Sequence, residues 1–427
     1  MKATEFKYEI NNPIEFKSKL IQYVNSYSCV CMLDHNNVNE AFDYIVAFKN
    51  KNELEYNKNP FKLLREFINK NKQDWVFGYL SYDLKNDIEL LSSNNNDAQK
   101  FPKLHFFIPE LIFKIKSNVL FVLSDENYNY TEIYKMVSEI QKITIKKSET
   151  YSIKLKSRES KKSYINKINS IKKHLQEGDI YEMNYCQEFY SYNVNIDPCS
   201  LFVKLNNFAK APFSAFYRLN DHFCLCGSPE RFIKKNGDKI ISQPIKGTIK
   251  RENNLLLDNV NKQQLLNSKK DFSENIMIVD LVRNDFSRFA KKSTVKVDEL
   301  MGLYSFKNVH HLISTISCQI DQKYDLIDAL RMSFPMGSMT GAPKIEAMKL
   351  IERYEETLRG IYSGSIGYVD PNQNCDFNVV IRSILYNKSK KYLSFMVGGA
   401  ITIESDPELE YNECRVKAKS ILKVLDQ

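Results

Sequence analysis

A lysine in an unusual setting is the first candidate for chemistry in this chain. Lys246 stands between Pro244-Ile245 and Gly247-Thr248 in the stretch ISQPIKGTIKR, at a turn that follows an apolar strand. A lysine amine is a nucleophile only when it is partly neutral, which requires burial or another cation nearby. Gly247 lets a ligand approach the backbone closely, and Thr248 adds a hydroxyl group. An exposed loop lysine would also fit this turn, so the stretch alone leaves both interpretations open.

A carboxylate lies at the same end of the preceding hairpin. The sequence RFIKKNGDKII predicts two strands joined by the two-residue turn Asn236-Gly237. That turn would place Glu230 opposite Gln243, three residues before Lys246. At ~3.3 Å per residue, the acid and the amine would start roughly 10 Å apart and could converge. Glu230 is therefore a candidate acid or base for chemistry at Lys246, and an ordinary ion pair is the alternative.

Two pairs of carboxylates occur at helical spacing. Asp271 and Glu274 lie three residues apart, as do Glu410 and Glu413, so each pair shares one face of a helix. Four carboxylates brought together by two helices would repel one another unless a cation lay between them. Oxygen ligands without histidine or cysteine favour Mg²⁺. Solvated acidic faces near helix N-termini are the alternative, because the helix dipole favours carboxylates there.

Helices and strands must position these groups. Apolar residues at helical spacing predict helices from 164 to Gly178, at about 271–284, after Pro343 and at about 407–425. In the last of these helices, Val416, Ile421 and Leu422 are expected to face inward. Strand-like runs occur in blocks between the helices, which predicts an α+β fold with largely antiparallel sheets.

The polar segment 145–163 is rich in lysine and serine and is the best candidate for a domain boundary. Residues 1–145 show no catalytic constellation, and we expect them to form a scaffold that could also serve regulation or partner docking. Residues 164–427 would form the catalytic domain. In the alternative, the segment is an exposed strand between two halves of one domain.

The composition excludes several classes of protein. The net charge of 61 − 52 = +9 is modest for 427 residues, and no basic stripe interleaved with aromatic residues predicts nucleic-acid binding. The nine cysteines are scattered without a CxxC pair, which argues against a zinc site and predicts reduced thiols in a cytoplasmic protein. The first residues lack the apolar core of a signal peptide, and no apolar run is long enough to span a membrane.

Three further places could contact a ligand. His310 and His311 are neighbours in a strand pattern and should face opposite ways, so that one can face a site. Arg382, in the apolar strand pattern NVVIRSILY, needs a carboxylate partner from the protein or from a ligand. Gly398-Gly399 end another strand and permit tight backbone contact.

In content and order, these pieces resemble the chorismate-utilising enzymes. The matching runs are EGDIYEMNYCQEF (177–189), GSPERF (227–232), PIKGT (244–248), SENIMIVDLVRND (273–285), VHHLIS (309–314), FPMGSMTGAPK (334–344), YSGSIGY (362–368) and VVIRS (379–383). They span about residues 164–425, and FGYLSYD (77–83) adds a weaker match before them. The resemblance implies that the two largely antiparallel β-sheets pack as a sandwich with helices on the outside.

Within this family, the residue before the Gly-Thr pair sorts the activities, and Lys246 resembles the aminodeoxychorismate synthase branch. That resemblance implies a transaminase-class amination of chorismate at C4, in 4-aminobenzoate and folate synthesis. Lys246 would form a covalent adduct at C2, with Glu230 as general acid and base. Mg²⁺ would be bound directly by Glu274 and Glu413, and through water by Asp271 and Glu410. The implied substrate contacts are Gly247, Thr248, His311, Thr340, Tyr362, Arg382, Gly398, Gly399 and Lys417.

The same resemblance implies that ammonia comes from a separate glutamine amidotransferase subunit, because the chain shows no nucleophile-elbow cysteine of its own. The alternatives are an anthranilate synthase component I, an isochorismate or salicylate synthase that uses water, and a non-catalytic binding protein of the same fold. Two residues depart from the family pattern: Ala400 occupies the third position of a glycine-rich strand end, and Asp271 stands where some relatives have glutamate.

Overall fold

The computed structural model describes residues 4–36, 40–145, 151 and 153–425. Its helices are α1 (Pro13–Val24), α2 (Pro60–Lys70), α3 (Lys85–Ile88), α4 (Tyr130–Lys142), α5 (Lys161–Glu177), α6 (Pro198–Ala209), α7 (Leu255–Leu266), α8 (Lys269–Ser287), α9 (Leu326–Ser333), α10 (Lys344–Tyr354) and α11 (Pro407–Leu425). Its strands are β1 (Thr4–Glu9), β2 (Cys29–Asp34), β3 (Tyr44–Glu55), β4 (Val76–Leu80), β5 (Leu104–Lys116), β6 (Val119–Ser124), β7 (Lys156–Ser157), β8 (Glu182–Ser191), β9 (Phe213–Leu219), β10 (His222–Ser228), β11 (Arg231–Asn236), β12 (Lys239–Gln243), β13 (Ile245–Lys250), β14 (Lys296–Ser305), β15 (Val309–Gln319), β16 (Gly341–Ala342), β17 (Ser365–Val369), β18 (Cys375–Asn378), β19 (Ser383–Asn387) and β20 (Tyr392–Ile401).

The four predicted helices are confirmed as α5, α8, α10 and α11, with ends within a few residues of those expected. α5 ends at Gly178, whose left-handed φ of +84° is a conformation that glycine adopts without a steric penalty. α8 begins after Ser268, whose hydroxyl accepts a hydrogen bond from the amide of Asp271. Local sequence therefore sets the ends of the helices that carry candidate site residues.

The inward face predicted for α11 is partly wrong. Val416 is 65% exposed, whereas Cys414, Ala418 and Ile421 are buried at intervals of four and three residues. At about 100° per residue, Val416 lies roughly 200° around the helix from Cys414 and therefore on the far side.

All ladders between these strands are antiparallel, and they branch at the long strand β5. Residues 104–107 of β5 pair with β4, and from there the order is β17, β18, β11, β12 and β15, with β13 and β14 also beside β15. On the other side, β5 pairs with β3, followed by β2, β9, β10, β19, β20 and β8. These two ladders are the antiparallel sheets of the expected α+β fold.

The hydrophobic core consists of two clusters on opposite faces of the shared strands. In β2, Cys29, Cys31 and Leu33 belong to the first cluster, while Val30 and Met32 belong to the second, as the two-residue period of a strand requires. The first cluster draws residues from both ladders and so fills the space between the sheets. The second lies beneath α1, α4, α5, α6 and α11, which cover the outer face of one sheet.

The nine cysteines are free and buried. The pairs Cys29/Cys31 and Cys224/Cys226 occupy alternate positions of β2 and β10, as their spacing predicts. Burial raises the pKa of the Cys186 thiol to about 12, and it raises that of Cys318 to about 12 as well. The thiols are therefore protonated core groups.

The segment 145–163 does not separate two sheets. Strand β2 pairs with β9, and β4 pairs with β17, so strands from before the segment lie within the same ladders as strands that follow it. This arrangement favours the interpretation of two halves of one domain. Residues 146–150 and 152 of the segment lie outside the described residues.

Among the described residues, no helix is both long enough and apolar enough to cross a bilayer.

Candidate active site

Lys246 lies in a β-bulge of β13 and not in a turn. The pairing of β13 with β15 shifts register between Ile245 and Thr248, and Gly247 has a φ of +96° within that interruption. A bulge redirects the side chains of the interrupted strand. The amide nitrogen of the Asn275 side chain donates to the carbonyl of Lys246 at 3.1 Å and holds this backbone against α8.

The amine of Lys246 is enclosed by carboxylates. Its side chain is 10% exposed, and Nζ donates to Oε1 of Glu182 at 2.6 Å and lies 3.9 Å from Oε2 of Glu274. Glu182 is the first residue of β8, and its side chain is 1% exposed. Of the two interpretations that the sequence left open, this geometry favours a positioned amine over an exposed surface charge.

The charge state of Lys246 differs from the expectation of a lowered pKa. Burial disfavours the ammonium, but the charges of Glu182 and Glu274 outweigh burial and raise the pKa of Lys246 above its ordinary value. The reason is that the groups nearest to the amine are two carboxylates, Glu182 and Glu274. In this state the amine is protonated and must lose a proton before it can act as a nucleophile.

Glu230 is a buried acid whose pKa is raised toward neutrality. It is 4% exposed, and burial raises its pKa to about 7, against the lowering effects of a hydrogen bond from Ser338 and the charge of Lys246. The hydroxyl of Ser338 donates to Oε1 of Glu230 at 2.6 Å. A carboxyl group with this pKa can donate and accept a proton at physiological pH, as general acid–base catalysis requires.

The predicted register of the hairpin that carries Glu230 is wrong. Asn236 pairs with Lys239, so the two turn residues are Gly237 and Asp238, and a bulge places Arg231 opposite Gln243. The left-handed φ of +57° at Gly237 explains why the turn forms there. Glu230 precedes the paired residues and still lies close enough for the charge of Lys246 to affect its pKa.

The helices α8 and α11 meet through a lysine. Nζ of Lys270 donates to Oε1 of Glu410 at 3.0 Å and lies 3.9 Å from Oε1 of Glu274. Burial disfavours the ammonium of Lys270, but the charges of Glu410, Glu274 and Glu413 raise its pKa. Lys270 therefore lies between one carboxylate of α8, Glu274, and one of α11, Glu410.

Two buried oxygens in the same place lack hydrogen-bond donors within the described part of the chain: Oε1 of Glu274 and Oε2 of Glu182. Burial raises the pKa of Glu274 to about 7, although Lys246 acts in the opposite direction. Unsatisfied carboxylate oxygens beside an ammonium group form a donor set that suits a hard divalent cation such as Mg²⁺. The residues present therefore fit the expected metal.

The predicted ligands are not gathered into a preformed cage. Within the described ranges, the only three His, Cys, Asp or Glu residues whose ligand atoms all lie within 4.8 Å of one another are His174, Glu177 and Asp179, at the end of α5. Glu413 is instead 45% exposed and bonds Nζ of Lys417 at 2.8 Å. Asp271 is half-buried, and its Cβ lies near Gly247.

A second group of predicted residues gathers around Arg382. The guanidinium makes no hydrogen bond or ion pair among the described residues, and burial lowers its pKa. Burial of the His311 ring and, to a smaller extent, the charge of Arg382 lower the pKa of His311 to about 3, so His311 is neutral. Nδ1 of His311 lies 2.7 Å from the hydroxyl of Thr248. An unpaired cation beside a neutral imidazole is suited to an anionic group of a ligand.

Arg382 does not lie within a strand, contrary to the prediction. β18 ends at Asn378 and β19 begins at Ser383, and Arg382 has a φ of +53°, which an extended strand cannot contain. The two histidines do face opposite ways: His310 bonds Asp258 at 2.9 Å, whereas His311 faces Thr248.

Three of the remaining predicted contact residues lie close to other polar groups of the protein. Tyr362 is buried with its hydroxyl 3.8 Å from Sγ of Cys186, and the hydroxyl of Thr340 donates to the carbonyl of Met336 at 3.2 Å. Nζ of Lys417 donates to the carbonyl of Gly398 at 2.8 Å.

A Cβ on Gly399 would lie 3.4 Å from Oε2 of Glu410 and 3.8 Å from Oε1 of Glu413, so this backbone lies against the acidic face of α11. Ala400 follows in β20, with only 9% of its surface exposed.

Sequence reasoning missed three side chains of the site: Glu182, Ser338 and Lys270. Glu182 lies in the run EGDIYEMNYCQEF and Ser338 in FPMGSMTGAPK, so both belong to stretches already singled out. Neither has a spacing relation to Lys246 or Glu230, because β8 and the turn 337–339 reach them only through tertiary packing. Lys270 is adjacent to Asp271, and its position four residues before Glu274 was a usable signal.

Comparison with known proteins shows the family to which this chain belongs. The chorismate binding enzyme family matches residues 28–423. The fold is similar to that of anthranilate synthase component I from Streptococcus pneumoniae, with a TM-score of 0.79 at 22% identity over 90% of this chain and 93% of that one. The chain thus belongs to the chorismate binding enzyme family.

Within that family, the chain is 35% identical to aminodeoxychorismate synthase component 1 of Escherichia coli over 357 residues, which cover 83% of this chain and 78% of that protein. It is 41% identical to aminodeoxychorismate synthase component 1 of Salmonella typhimurium over 263 residues, or 62% of this chain. That alignment spans 57% of the Salmonella protein, which is less than two thirds of its length.

Proposed function

We propose that this protein aminates chorismate at C4, as an aminodeoxychorismate synthase component I. The observation that carries this proposal is the enclosed amine of Lys246, 2.6 Å from Glu182 and in the same site as a buried acid with a pKa of about 7. A buried amine held at one place can act as a nucleophile once it has lost a proton. The similarity to two proteins named aminodeoxychorismate synthase component 1 supports the same choice.

The reaction begins with loss of a proton from Lys246. Oε1 of Glu182 already accepts the hydrogen bond from Nζ, so it is the acceptor that the site offers. The neutral amine then forms a bond to C2 of chorismate, both double bonds of the ring shift by one position, and the C4–O bond breaks. A covalent step of this kind divides one difficult substitution into two easier ones.

Glu230 assists departure of the C4 oxygen. Hydroxide is a poor leaving group, and a proton from the carboxyl of Glu230 allows it to leave as water. Ammonia then forms a bond to C4, both double bonds return to their original positions, and the C2–N bond breaks with its electron pair on Lys246. The ionised Glu230 takes the proton that the incoming ammonia must lose. Glu182 returns its proton to the released amine of Lys246, so the site regains its starting protonation state.

The two carboxylates of chorismate require positive charge at both ends of the site. Arg382, which lacks a protein partner among the described residues, would pair with the enolpyruvyl carboxylate. Glu274 and Glu413 would hold Mg²⁺ directly, with Asp271 and Glu410 acting through water. When bound, Mg²⁺ supplies the positive charge for the ring carboxylate.

Lys270 gives a test of the metal proposal that does not depend on turnover. Its ammonium group occupies the space between Glu274 and Glu410, so Mg²⁺ must displace it. Lys270→Ala should bind Mg²⁺ more tightly than the wild type, whereas Glu274→Gln should bind it more weakly, both measured by titration calorimetry. Lys269→Ala, one residue earlier on the exposed side of α8, is the control and should leave the affinity unchanged. Equal affinities in Lys270→Ala, Glu274→Gln and the wild type would refute a metal at this position.

Ammonia would come from a separate glutamine amidotransferase subunit. The nine cysteines of the chain are buried, so none is presented as a nucleophile for glutamine hydrolysis. Ammonium salt at elevated pH should replace the subunit in an assay of this chain alone.

The identity of the product tests the proposed function. Chorismate, Mg²⁺ and ammonium salt should yield a product in which the C4 hydroxyl is replaced by an amino group with the enolpyruvyl group retained, as judged by mass. Lys246→Ala should lose this product, and Lys250→Ala, an exposed lysine of the same strand, should retain it. Anthranilate as the product would identify an anthranilate synthase instead. Turnover of chorismate without ammonia would identify an isochorismate or salicylate synthase.

A further inference from the structure

A second cleft, which shares no lining residue with the active site, opens on the N-terminal part of the chain. It measures about 540 Å³ and lies between β3, the segment before β4, and strands β5 and β6. A register shift between β3 and β5 at Asn50 and Asn52 leaves Lys51 outside the ladder at the edge of this cleft. Bulges of this kind are common where a strand directs side chains toward a ligand.

The walls of the cleft are apolar and include the only tryptophan of the chain. Trp75 is half-buried and packs against Tyr368 at 5.3 Å between ring centroids. Ile108, Pro109 and Leu123 add aliphatic surface beside it. The volume and lining suit the body of a small organic molecule, and the face of an indole ring attracts cations.

The polar lining of the cleft is acidic. Asp74, Glu110 and Asp125 oppose Lys51, so three negative charges and one positive charge leave the lining with a net charge of −2, on a chain whose net charge is +9. Lys51 lies 3.8 Å from Asp125, and Glu110 accepts a hydrogen bond from the hydroxyl of Tyr128. Because the charge of the lining is negative, the cleft should favour a positively charged ligand and disfavour anions such as the proposed substrate of the active site.

A buried hydroxyl group marks the floor of the same cleft. Ser124 is 2% exposed, and its Oγ has no hydrogen-bond partner among the described residues. Buried hydroxyl groups are usually paired, because an unpaired one loses its hydrogen bonds to water without replacement. A donor group on a ligand that reached the floor would satisfy this oxygen.

We propose that this cleft is a binding site for a small organic cation, in which an apolar ring or chain lies against Trp75 and an amine lies among the carboxylates. The site goes beyond the proposed amination and requires none of the residues that serve it. Its position on the N-terminal strands agrees with a role for residues 1–145 other than catalysis.

The single tryptophan makes the site measurable. Titration with 2-phenylethylamine should change the emission of Trp75 in a saturable way, since no other indole contributes to the signal. 2-Phenylethanol has the same ring without the charge and should bind more weakly, and phenylacetate should bind weakest. Equal responses to the amine and to phenylacetate, or no saturable response to the amine, would overturn the proposal.

Two variants locate the amine within the cleft. Asp74→Asn should weaken the binding of 2-phenylethylamine by about fivefold, which is the effect of losing one partly exposed charge pair. Ser124→Ala should also weaken it, while Glu66→Gln, an exposed carboxylate of α2, should leave it unchanged. Calorimetry with Trp75→Phe gives a second readout that does not use fluorescence.

Chorismate amination by each variant shows that the chain is folded. Unaltered amine affinity in both Asp74→Asn and Ser124→Ala would place the ligand elsewhere and refute the site, even if the amination itself were confirmed.

Discussion

At the residue scale, the proposed chemistry depends on the contact between Lys246 and Glu182. The same carboxylate that holds the ammonium in place also keeps it protonated, so binding of substrate and metal must shift this balance before attack. Glu274 contributes to the same field from 3.9 Å. A nucleophile held in its inactive, charged form is protected from other electrophiles until the site is filled.

Removal of the Glu182 carboxylate should therefore slow the reaction. Glu182→Gln keeps the size of the side chain but cannot accept the proton of Lys246, and kcat with chorismate and ammonium should fall by about 10²-fold, as is typical for loss of a general base. Because the carboxylate raises the pKa of Lys246, the acidic limb of the pH–rate profile should move to lower pH in the variant. Glu177→Gln, an exposed carboxylate at the end of α5, is the control. A wild-type kcat in Glu182→Gln would contradict this role.

Glu230 should couple folding stability to pH. Its pKa is about 7 in the folded protein against an ordinary value of 4.5, so the folded state binds the proton more strongly than the unfolded chain. This contribution to stability is complete below pH 4.5 and is lost as the pH rises through about 7. The difference in pKa corresponds to at most about 3.5 kcal/mol.

The free energy of unfolding should depend less on pH in Glu230→Gln than in the wild type. Between pH 5 and pH 8, the wild type should lose more stability than the variant. Urea titrations at both values measure this, with Glu66→Gln as the exposed control. Parallel pH dependence in Glu230→Gln and the wild type would show that Glu230 is not buried as a protonated acid.

At the element scale, the bulge of β13 positions the side chain of Lys246, the proposed nucleophile. Sequence periodicity located the helices and most strands, since each depends on local spacing. It did not locate this bulge or the register of the β11–β12 hairpin, because those depend on pairing with β15 and β18, which lie 60 or more residues further along the chain. The same limit explains why the acid was placed near Lys246 but Glu182, from β8, was not recognised.

Gly247→Ala should disturb the bulge more than it destabilises the fold. An alanine there would adopt a φ of +96°, and its Cβ would lie 3.2 Å from Leu265 and Leu312. The conformational strain is about 1 kcal/mol, and the contacts would displace the neighbouring Lys246.

Gly237→Ala is the matched control, because it also has a positive φ but meets no atom within 4 Å. Both variants should lose similar stability in urea titrations, but only Gly247→Ala should lose most of its kcat. Equal losses of kcat would indicate that the bulge has no specific role.

At the scale of the whole molecule, the strands that carry the candidate catalytic residues and the N-terminal strands belong to the same sheets. The sequence suggested a boundary because the segment 145–163 is polar, yet polarity alone does not show whether the strands on either side pair with each other. β4 pairs with β17 over five residues, and β2 pairs with β9 over six. Removal of these strands would expose long, apolar strand edges.

A fragment of residues 164–427 should therefore fail to form a stable, monomeric fold. We expect it to be recovered as aggregate or to lack a cooperative thermal transition, whereas the full chain should unfold cooperatively. Circular dichroism and size-exclusion chromatography of the purified fragment measure both properties. A cooperative, active fragment would show that the N-terminal strands are dispensable.

The buried cysteine thiols of the core can report how often the folded chain opens. Alkylation by iodoacetamide needs a thiolate that the reagent can reach, and the folded chain offers neither. The rate at which carbamidomethyl groups are added therefore measures how often the buried thiols become exposed, and no engineered label is needed. Mass spectrometry of partly labelled protein would also rank the strands by how often each is released, since the modified positions are distributed across both sheets.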